Sequence, residues 1–120
     1  MKKALIRKSK YAIIKAKQPI EGAFANIDDG KEITVIIDQR YIKNVKKQKS
    51  QKDFRLITFD MILPFSMTGF IAKIATSLAQ TKIPIFVISS YSTDHILIKS
   101  KYLNKAKKQL KDLGFIIKTE

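Results

Sequence analysis

The sequence predicts a fold of the α+β class. From Phe54 to the end of the chain, apolar residues follow two spacings, one typical of β-strands and one typical of amphipathic helices. The segments come in the order strand, helix, strand, strand, helix, strand. The chain has 120 residues, 45% of them hydrophobic, so it can bury a real core as one compact unit or as two small halves that share it.

The clearest signals lie in the C-terminal half. One segment repeats Ile71, Ile74 and Leu78 at helical spacing, and a second helical segment closes at Gly114. Between them, a nearly continuous apolar strand is followed by its expected hairpin partner. This order is the ferredoxin-like βαββαβ plan. The six predicted elements are residues 54–59, 68–81, 83–89, 94–99, 102–113 and 115–117.

The N-terminal part is less regular. The turn Asp28-Asp29-Gly30 separates two runs typical of strands, which predicts a β-hairpin. The first ten residues read as a basic tail, and the lysine-rich run 46–52 reads as a mobile loop. The other predicted elements are a strand at 11–16, hairpin strands at 24–27 and 32–37, and a short helix at 39–46.

The N-terminal elements follow the βαββαβ order without its first helix: strand, connection, strand, strand and short helix. We therefore predict a degenerate internal duplication, although no clear sequence repeat accompanies it. The predicted division is a degenerate N-terminal unit, residues 1–53, and a C-terminal domain, residues 54–120.

The formal net charge of +14 raises nucleic acid or an anionic membrane surface as a partner. Only Arg7, Arg40 and Arg55 are arginines, so the guanidinium groups that read bases and clamp phosphates are sparse. The lysines lie in the tail, in the 46–52 run and in the last helix. Ordinary solvent-exposed surface explains each of these three groups. Codon bias produces the same lysine-rich composition, and the sequence therefore disfavours a nucleic-acid role.

Composition also bounds the chemistry and the compartment. The chain has no cysteine, which excludes disulfides, thiolate zinc sites, iron–sulfur clusters and thiol catalysis. Charges at Arg7 and Lys8 interrupt the N-terminus before an apolar signal segment forms, and no later run has the length of a membrane helix. We expect a cytoplasmic protein with no membrane contact.

Two polar loops are the candidate binding residues. Ser66, Thr68 and Gly69 stand where a helix begins, and the free backbone N–H groups of a helix N-terminus attract anions such as carboxylates. In a βαββαβ unit this loop can lie beside the end of the second strand, residues 89–94, where Asp94 would face a ligand cation. An anion site opposite a carboxylate suits a zwitterion such as an amino acid.

Each of these residues also has a structural reading. Ser66 or Thr68 is a suitable N-cap, and Gly69 permits tight packing between helix and sheet. Asp94 is typical of a turn, where its carboxylate caps backbone N–H groups, and Tyr91 either walls a pocket or covers the end of the sheet.

Catalytic and metal-binding constellations are not found in the sequence. His95 is the only histidine and has no cysteine or second histidine to share a metal. A Ser89–His95–Asp94 arrangement is sterically poor, because adjacent strand residues point to opposite faces. Asp28 and Asp29 read as turn residues, and no phosphate-binding glycine motif occurs. We therefore predict no enzymatic activity, no metal and no cofactor.

Two motifs carry a resemblance to a known family. The segments Pro64-Phe65-Ser66-Met67-Thr68-Gly69 and Ile85-Phe86-Val87-Ile88-Ser89-Ser90-Tyr91-Ser92-Thr93-Asp94 resemble those of ACT domains. More narrowly, they are similar to small bacterial ACT proteins related to the CASTOR sensors. The sequence departs from that pattern at Pro64, Ser90 and His95, where an aspartate, a threonine and a tyrosine are usual.

The resemblance implies two tandem ACT-like units, the first degenerate, with a regulatory role through binding of an amino acid or similar small molecule. It also implies a possible homodimer. The alternatives are a polyanion-binding protein that uses its lysine surface and a protein–protein interaction domain. Carried onto this sequence, the ligand-binding residues are Ser66, Thr68, Gly69, Ser89, Tyr91, Thr93 and Asp94.

Overall fold

A computed structural model describes residues 2–61 and 69–120. Within these ranges the chain forms seven strands, two α-helices and two single turns of 3₁₀ helix. The strands are β1 (Lys3–Ala16), β2 (Ala25–Asp28), β3 (Ile33–Asp38), β4 (Lys49–Asp60), β5 (Phe86–Ser89), β6 (Asp94–Lys99) and β7 (Ile116–Thr119), and the helices are α1 (Phe70–Gln80) and α2 (Leu103–Asp112).

The residues group into two compact units. Met1–Lys8 and Arg55–Glu120 form what we call the helical unit, and Ser9–Phe54 forms the hairpin unit. The boundaries fall inside β1 and β4, so each of these long strands contributes residues to both units. The division of the sequence into 1–53 and 54–120 stays a prediction.

The helical unit contains the predicted strand, helix, strand, strand, helix, strand order, from β4 to β7. Its neighbouring strands are β1 with β4, β4 with β6, and β6 with β5, while β7 pairs with the start of β1. β5 and β6 form an antiparallel hairpin, and β7 runs parallel to β1. The α+β class and the ferredoxin-like plan are therefore confirmed.

Both helices bury their apolar sides in one core of the helical unit. α1 contributes Ile74 and Leu78, and α2 contributes Ala106 and Leu110, each pair four residues apart and so on one helix face. Strand side chains complete the core. Phe59 is fully buried, and its ring lies 5.6 Å from that of Phe70 and 5.3 Å from that of Phe115 between centroids.

The hairpin unit is built on the predicted Asp-Gly turn. β2 pairs antiparallel with β3, and the Asp28 carboxylate accepts a 2.9 Å hydrogen bond from the Gly30 N–H. Gly30 has φ of +86°, a conformation that glycine adopts without strain. β3 also pairs antiparallel with β1, and the unit's core is formed by Ala12, Ile14, Ala16, Val35, Ile37 and Ile42.

Three predictions for the N-terminal part were wrong. The expected basic tail is the start of β1, where the Ile116 N–H donates to the Lys2 carbonyl at 2.9 Å and buried Ala4 and Ile6 alternate with less buried residues. The expected helix at 39–46 is one 3₁₀ turn, Gln39–Tyr41, capped by the Asp38 carboxylate. The lysine-rich run is not all loop, because β4 begins at Lys49.

Element boundaries also differ in the helical unit. α1 begins at Phe70, and β5 begins at Phe86 although Ile83 is buried in the core. The Ile83 N–H donates to the Leu78 carbonyl at 3.0 Å, so this residue closes the helix before the strand starts. α2 and β7 lie within two residues of their predicted bounds.

Replacing Leu78 by alanine should lower the free energy of unfolding by about 2–5 kcal/mol, because it removes buried methyl groups and leaves a cavity. Urea unfolding followed by circular dichroism measures the loss. The matched control is Val87→Ala, whose side chain is 44% exposed and whose loss should be about 1 kcal/mol or less. Equal losses for the two variants would contradict the packing of α1 against this core.

Candidate ligand site

The structure describes five of the seven predicted binding residues. Ser66 and Thr68 lie outside the described residues, so their proximity to the second loop stays a prediction. Gly69 and the four residues of the second loop belong to the helical unit. Those four are Ser89, Tyr91, Thr93 and Asp94.

Gly69 occupies the N-cap position of α1 with φ of +82°. The alternative in which Ser66 or Thr68 caps this helix concerns residues outside the described ranges. Among the described residues, no atom outside its immediate neighbours lies within 4 Å of where a Cβ of Gly69 would stand, so none of these residues requires a glycine for close packing. The left-handed backbone conformation is what favours glycine here. No side chain at this position caps the helix, which leaves first-turn N–H groups to other partners.

Ser89 and Asp94 face each other across the hairpin. They are a register pair of β5 and β6, and the Ser89 hydroxyl donates a short hydrogen bond to the Asp94 carboxylate. The turn that joins the strands is closed by the Ser90 N–H, which donates to the Thr93 carbonyl at 2.9 Å. Asp94, a half-buried residue, is therefore held at the hairpin end, as its structural reading predicts.

Tyr91 and Thr93 lie in this turn. The Tyr91 side chain is 82% exposed, and Thr93 is half-buried and accepts through its carbonyl from the Ser90 hydroxyl at 3.1 Å. The expectation that Tyr91 walls a pocket stays a prediction.

His95 is the site residue that the sequence reading missed. It is 7% exposed, with Nδ1 2.9 Å from the Thr58 hydroxyl and Nε2 3.2 Å from the Ser90 hydroxyl. When Ser90 gives its one hydrogen to the Thr93 carbonyl, it accepts from Nε2–H of His95, and Thr58 donates to Nδ1. The neutral imidazole thus ties β4 to the turn beside Asp94.

The surroundings of His95 favour its neutral form. Burial lowers the pKa of the imidazole, and the positive charge of Arg7 lowers this pKa further, while the negative charge of Asp94 opposes them. A sequence signal existed, because His95 directly precedes the apolar run Ile96-Leu97-Ile98 of β6, which indicates a buried position. What the sequence could not give was the hydroxyl from β4, 37 residues away.

Among the described residues, no group of three or more histidine, cysteine, aspartate or glutamate side chains is placed to hold a metal ion. No helix in residues 2–61 and 69–120 combines the length and apolar character needed to span a membrane.

The ACT domain family matches residues 49–112, from the first residue of β4 to the last of α2. Because this is more than half of the chain, the protein belongs to the ACT domain family. The match contains the described residues of the candidate site and the loop before Gly69. No curated protein matches the sequence.

Solved structures share the fold. Protein Atu0741 from Agobacterium tumefaciens superposes with a TM-score of 0.81 at 23% identity, over 99% of this chain and 93% of that one. The regulatory subunit of aspartate kinase from Thermus thermophilus, in its ligand-free form, gives 0.66 at 10% identity, over 91% and 94%. E. coli aspartokinase III, in complex with aspartate and ADP, gives 0.67 at 6% identity, over 89% of this chain and 32% of that one.

The contribution of His95 to stability should depend on pH between 8 and 5. Because folding lowers its pKa below the ordinary 6.5, the contribution is complete above pH 6.5 and is lost as the pH falls through 6.5 toward the folded pKa. Urea unfolding should therefore show a free energy of unfolding that declines over this range. The window stops at pH 5 because carboxylates titrate below it.

The control for this pH dependence is His95→Gln, which keeps a polar side chain but removes the titrating group. We expect the variant to be less stable at pH 8 and to lose less stability on acidification. Parallel pH curves for the two proteins would show that His95 is not the titrating group.

Proposed function

We propose that this chain is a non-enzymatic regulatory module that binds an amino acid, or a similar small zwitterion, between the loop preceding α1 and the β5–β6 turn. The observation that carries the proposal is the ACT family match, which spans both segments. A regulatory ligand-binding role is what this family and its structural neighbours support.

The carboxylate of the ligand would bind at the N-terminus of α1. Gly69 begins this helix without a side-chain cap, and free N–H groups with the positive end of the helix dipole favour a negative charge. Ser66 and Thr68 would add hydroxyl donors from the preceding loop. The fourteen basic residues of the helical unit, against four acidic ones, add a long-range attraction for the carboxylate.

The ammonium group would bind Asp94. Its carboxylate is fixed by the hydrogen bond from Ser89, and this bond uses only part of the acceptor capacity of an ionised carboxylate. Thr93 and Tyr91 would line the site from the turn. Because His95 anchors the same turn through Ser90, its neutral form would keep Asp94 in position for the ligand.

Similar structures support a regulatory role. The Thermus thermophilus protein is the regulatory subunit of an aspartate kinase, and the superposition covers 94% of it. In our proposal the hairpin unit is a degenerate ACT-like unit, and the protein belongs with the small CASTOR-related proteins. It acts in the cytoplasm as a homodimer.

A thermal-shift screen of the twenty amino acids tests this function. A ligand present at about 100 times its dissociation constant should add about 2.7 kcal/mol, which raises the melting temperature by several degrees. Asp94→Asn keeps the size of the side chain but removes the charge, so it should reduce the shift to near zero.

Asp112→Asn is the matched control, since it removes the same charge from an exposed position on α2. It should retain the full shift. A panel without any stabilising amino acid would contradict the proposed ligand class, and a shift that Asp94→Asn leaves intact would contradict the role of the carboxylate.

A further inference from the structure

The sequence around α2 concentrates positive charge. Between Lys99 and Lys111, six of thirteen residues are lysine and none is acidic. In the structure, Ala106 and Leu110 of this helix are buried in the core of the helical unit. Three exposed lysines of α2 and one in the 3₁₀ turn just before it form one outer surface, which we call the lysine face: Lys105, Lys108, Lys111 and Lys101.

The other helix of the same unit gives an internal comparison. α1 also buries one side, yet it contains a single lysine, Lys73, and its other exposed residues are alanine, threonine and glutamine. A chain-wide preference for lysine would charge the exposed sides of both helices. Of the two helices, only α2 carries this concentration of charge. A uniformly lysine-rich composition therefore does not account for its position.

Little within the described residues neutralises the lysine face. Its one ion pair there joins Lys108 to Asp112 at 3.3 Å, and both side chains are largely exposed. The ammonium groups of Lys101 and Lys105 lie 5.1 and 6.0 Å from the Tyr102 ring centre, within the range of a cation–π contact that leaves their charge in place. Like charges three or four residues apart destabilise a helix, and a bound polyanion would relieve this repulsion.

We propose that the lysine face binds the phosphate backbone of a nucleic acid without sequence preference. Lysine presents a point charge suited to phosphates, whereas base reading relies mostly on arginine and amide side chains. Two arginines of the chain are engaged internally, Arg40 with the Asp38 carboxylate at 2.8 Å and Arg55 with the Arg7 carbonyl at 2.8 Å. The face is thus suited to contact with the backbone alone.

The geometry of α2 favours nucleic acid over a membrane. Its apolar residues face the core, so the helix has no free apolar side to insert between lipids. Lys101 and Lys111 are ten residues apart, about 15 Å at the α-helical rise, and one strand of duplex presents a phosphate about every 3.4 Å along its axis. Four exposed lysines therefore match a row of about four phosphates.

Fluorescence anisotropy with a labelled 20-base-pair DNA duplex, and in parallel a single-stranded RNA of equal length, tests the proposal between 50 and 200 mM NaCl. Four phosphate contacts predict a slope of log K against log salt of about −3 to −4 for the duplex and about −3 for the single strand. The tighter of the two probes identifies the source of the phosphates.

The decisive variant replaces Lys101, Lys105, Lys108 and Lys111 with glutamine. Its salt slope should be smaller in magnitude by about 3, and its affinity at 100 mM salt should fall by about tenfold or more. The matched control removes the same charge from exposed lysines of the hairpin unit and should bind nearly as the parent does: Lys31, Lys43, Lys46 and Lys49, all to glutamine. Circular dichroism confirms that both variants are folded.

Three results would overturn the proposal. The first is absence of binding to either nucleic acid at 50 mM salt, and the second is equal weakening by the two sets of substitutions, which would indicate net charge rather than a surface. The third is tighter binding to vesicles containing phosphatidylserine than to either nucleic acid. None of them bears on amino-acid binding, which the thermal-shift screen measures separately.

Discussion

The helical unit depends on the burial of both sides of β6. Ile96 and Ile98 enter the core that contains Phe59 and Leu78, while Leu97, between them, is also fully buried. A histidine in such a strand must satisfy both ring nitrogens within the protein, because an unpaired buried polar atom is costly. Thr58 and Ser90 supply these partners for His95, so the requirement of one buried side chain fixes the turn next to Asp94.

What the sequence could predict was set by the range of the interactions. Helical spacing and a hairpin turn depend on residues close together in the sequence. For this reason the order from β4 to β7 and the β2–β3 hairpin were predicted correctly. The start of β1 was missed because its partner is β7, more than a hundred residues away in the sequence. The same holds for the candidate site. The role of Asp94 in the turn could be predicted from its neighbours, whereas the Thr58 partner of His95, 37 residues away, could not.

Electrostatics gives the two helices of the unit different surroundings. The beginning of α1, at Gly69, presents backbone donors, and our proposal pairs them with Asp94 of the β5–β6 turn to hold a small zwitterion. The exposed side of α2 presents lysines with almost no acid nearby, an arrangement suited to an extended polyanion. Because different residues form the two surfaces, each proposal can be tested without the other. A protein with both surfaces would couple binding of a metabolite to binding of nucleic acid.

The central claim is that an ACT-family chain with this turn holds a small zwitterion at the start of α1. Titration of the ¹⁵N-labelled protein with the amino acid that stabilises it most, followed by amide chemical shifts, tests this claim most directly. Our account predicts saturable shifts that are largest at Gly69 and Phe70 and at the amides of Ser89 to His95, with α2 unaffected. Shifts confined to other parts of the chain, or no saturable shift with any amino acid, would contradict it.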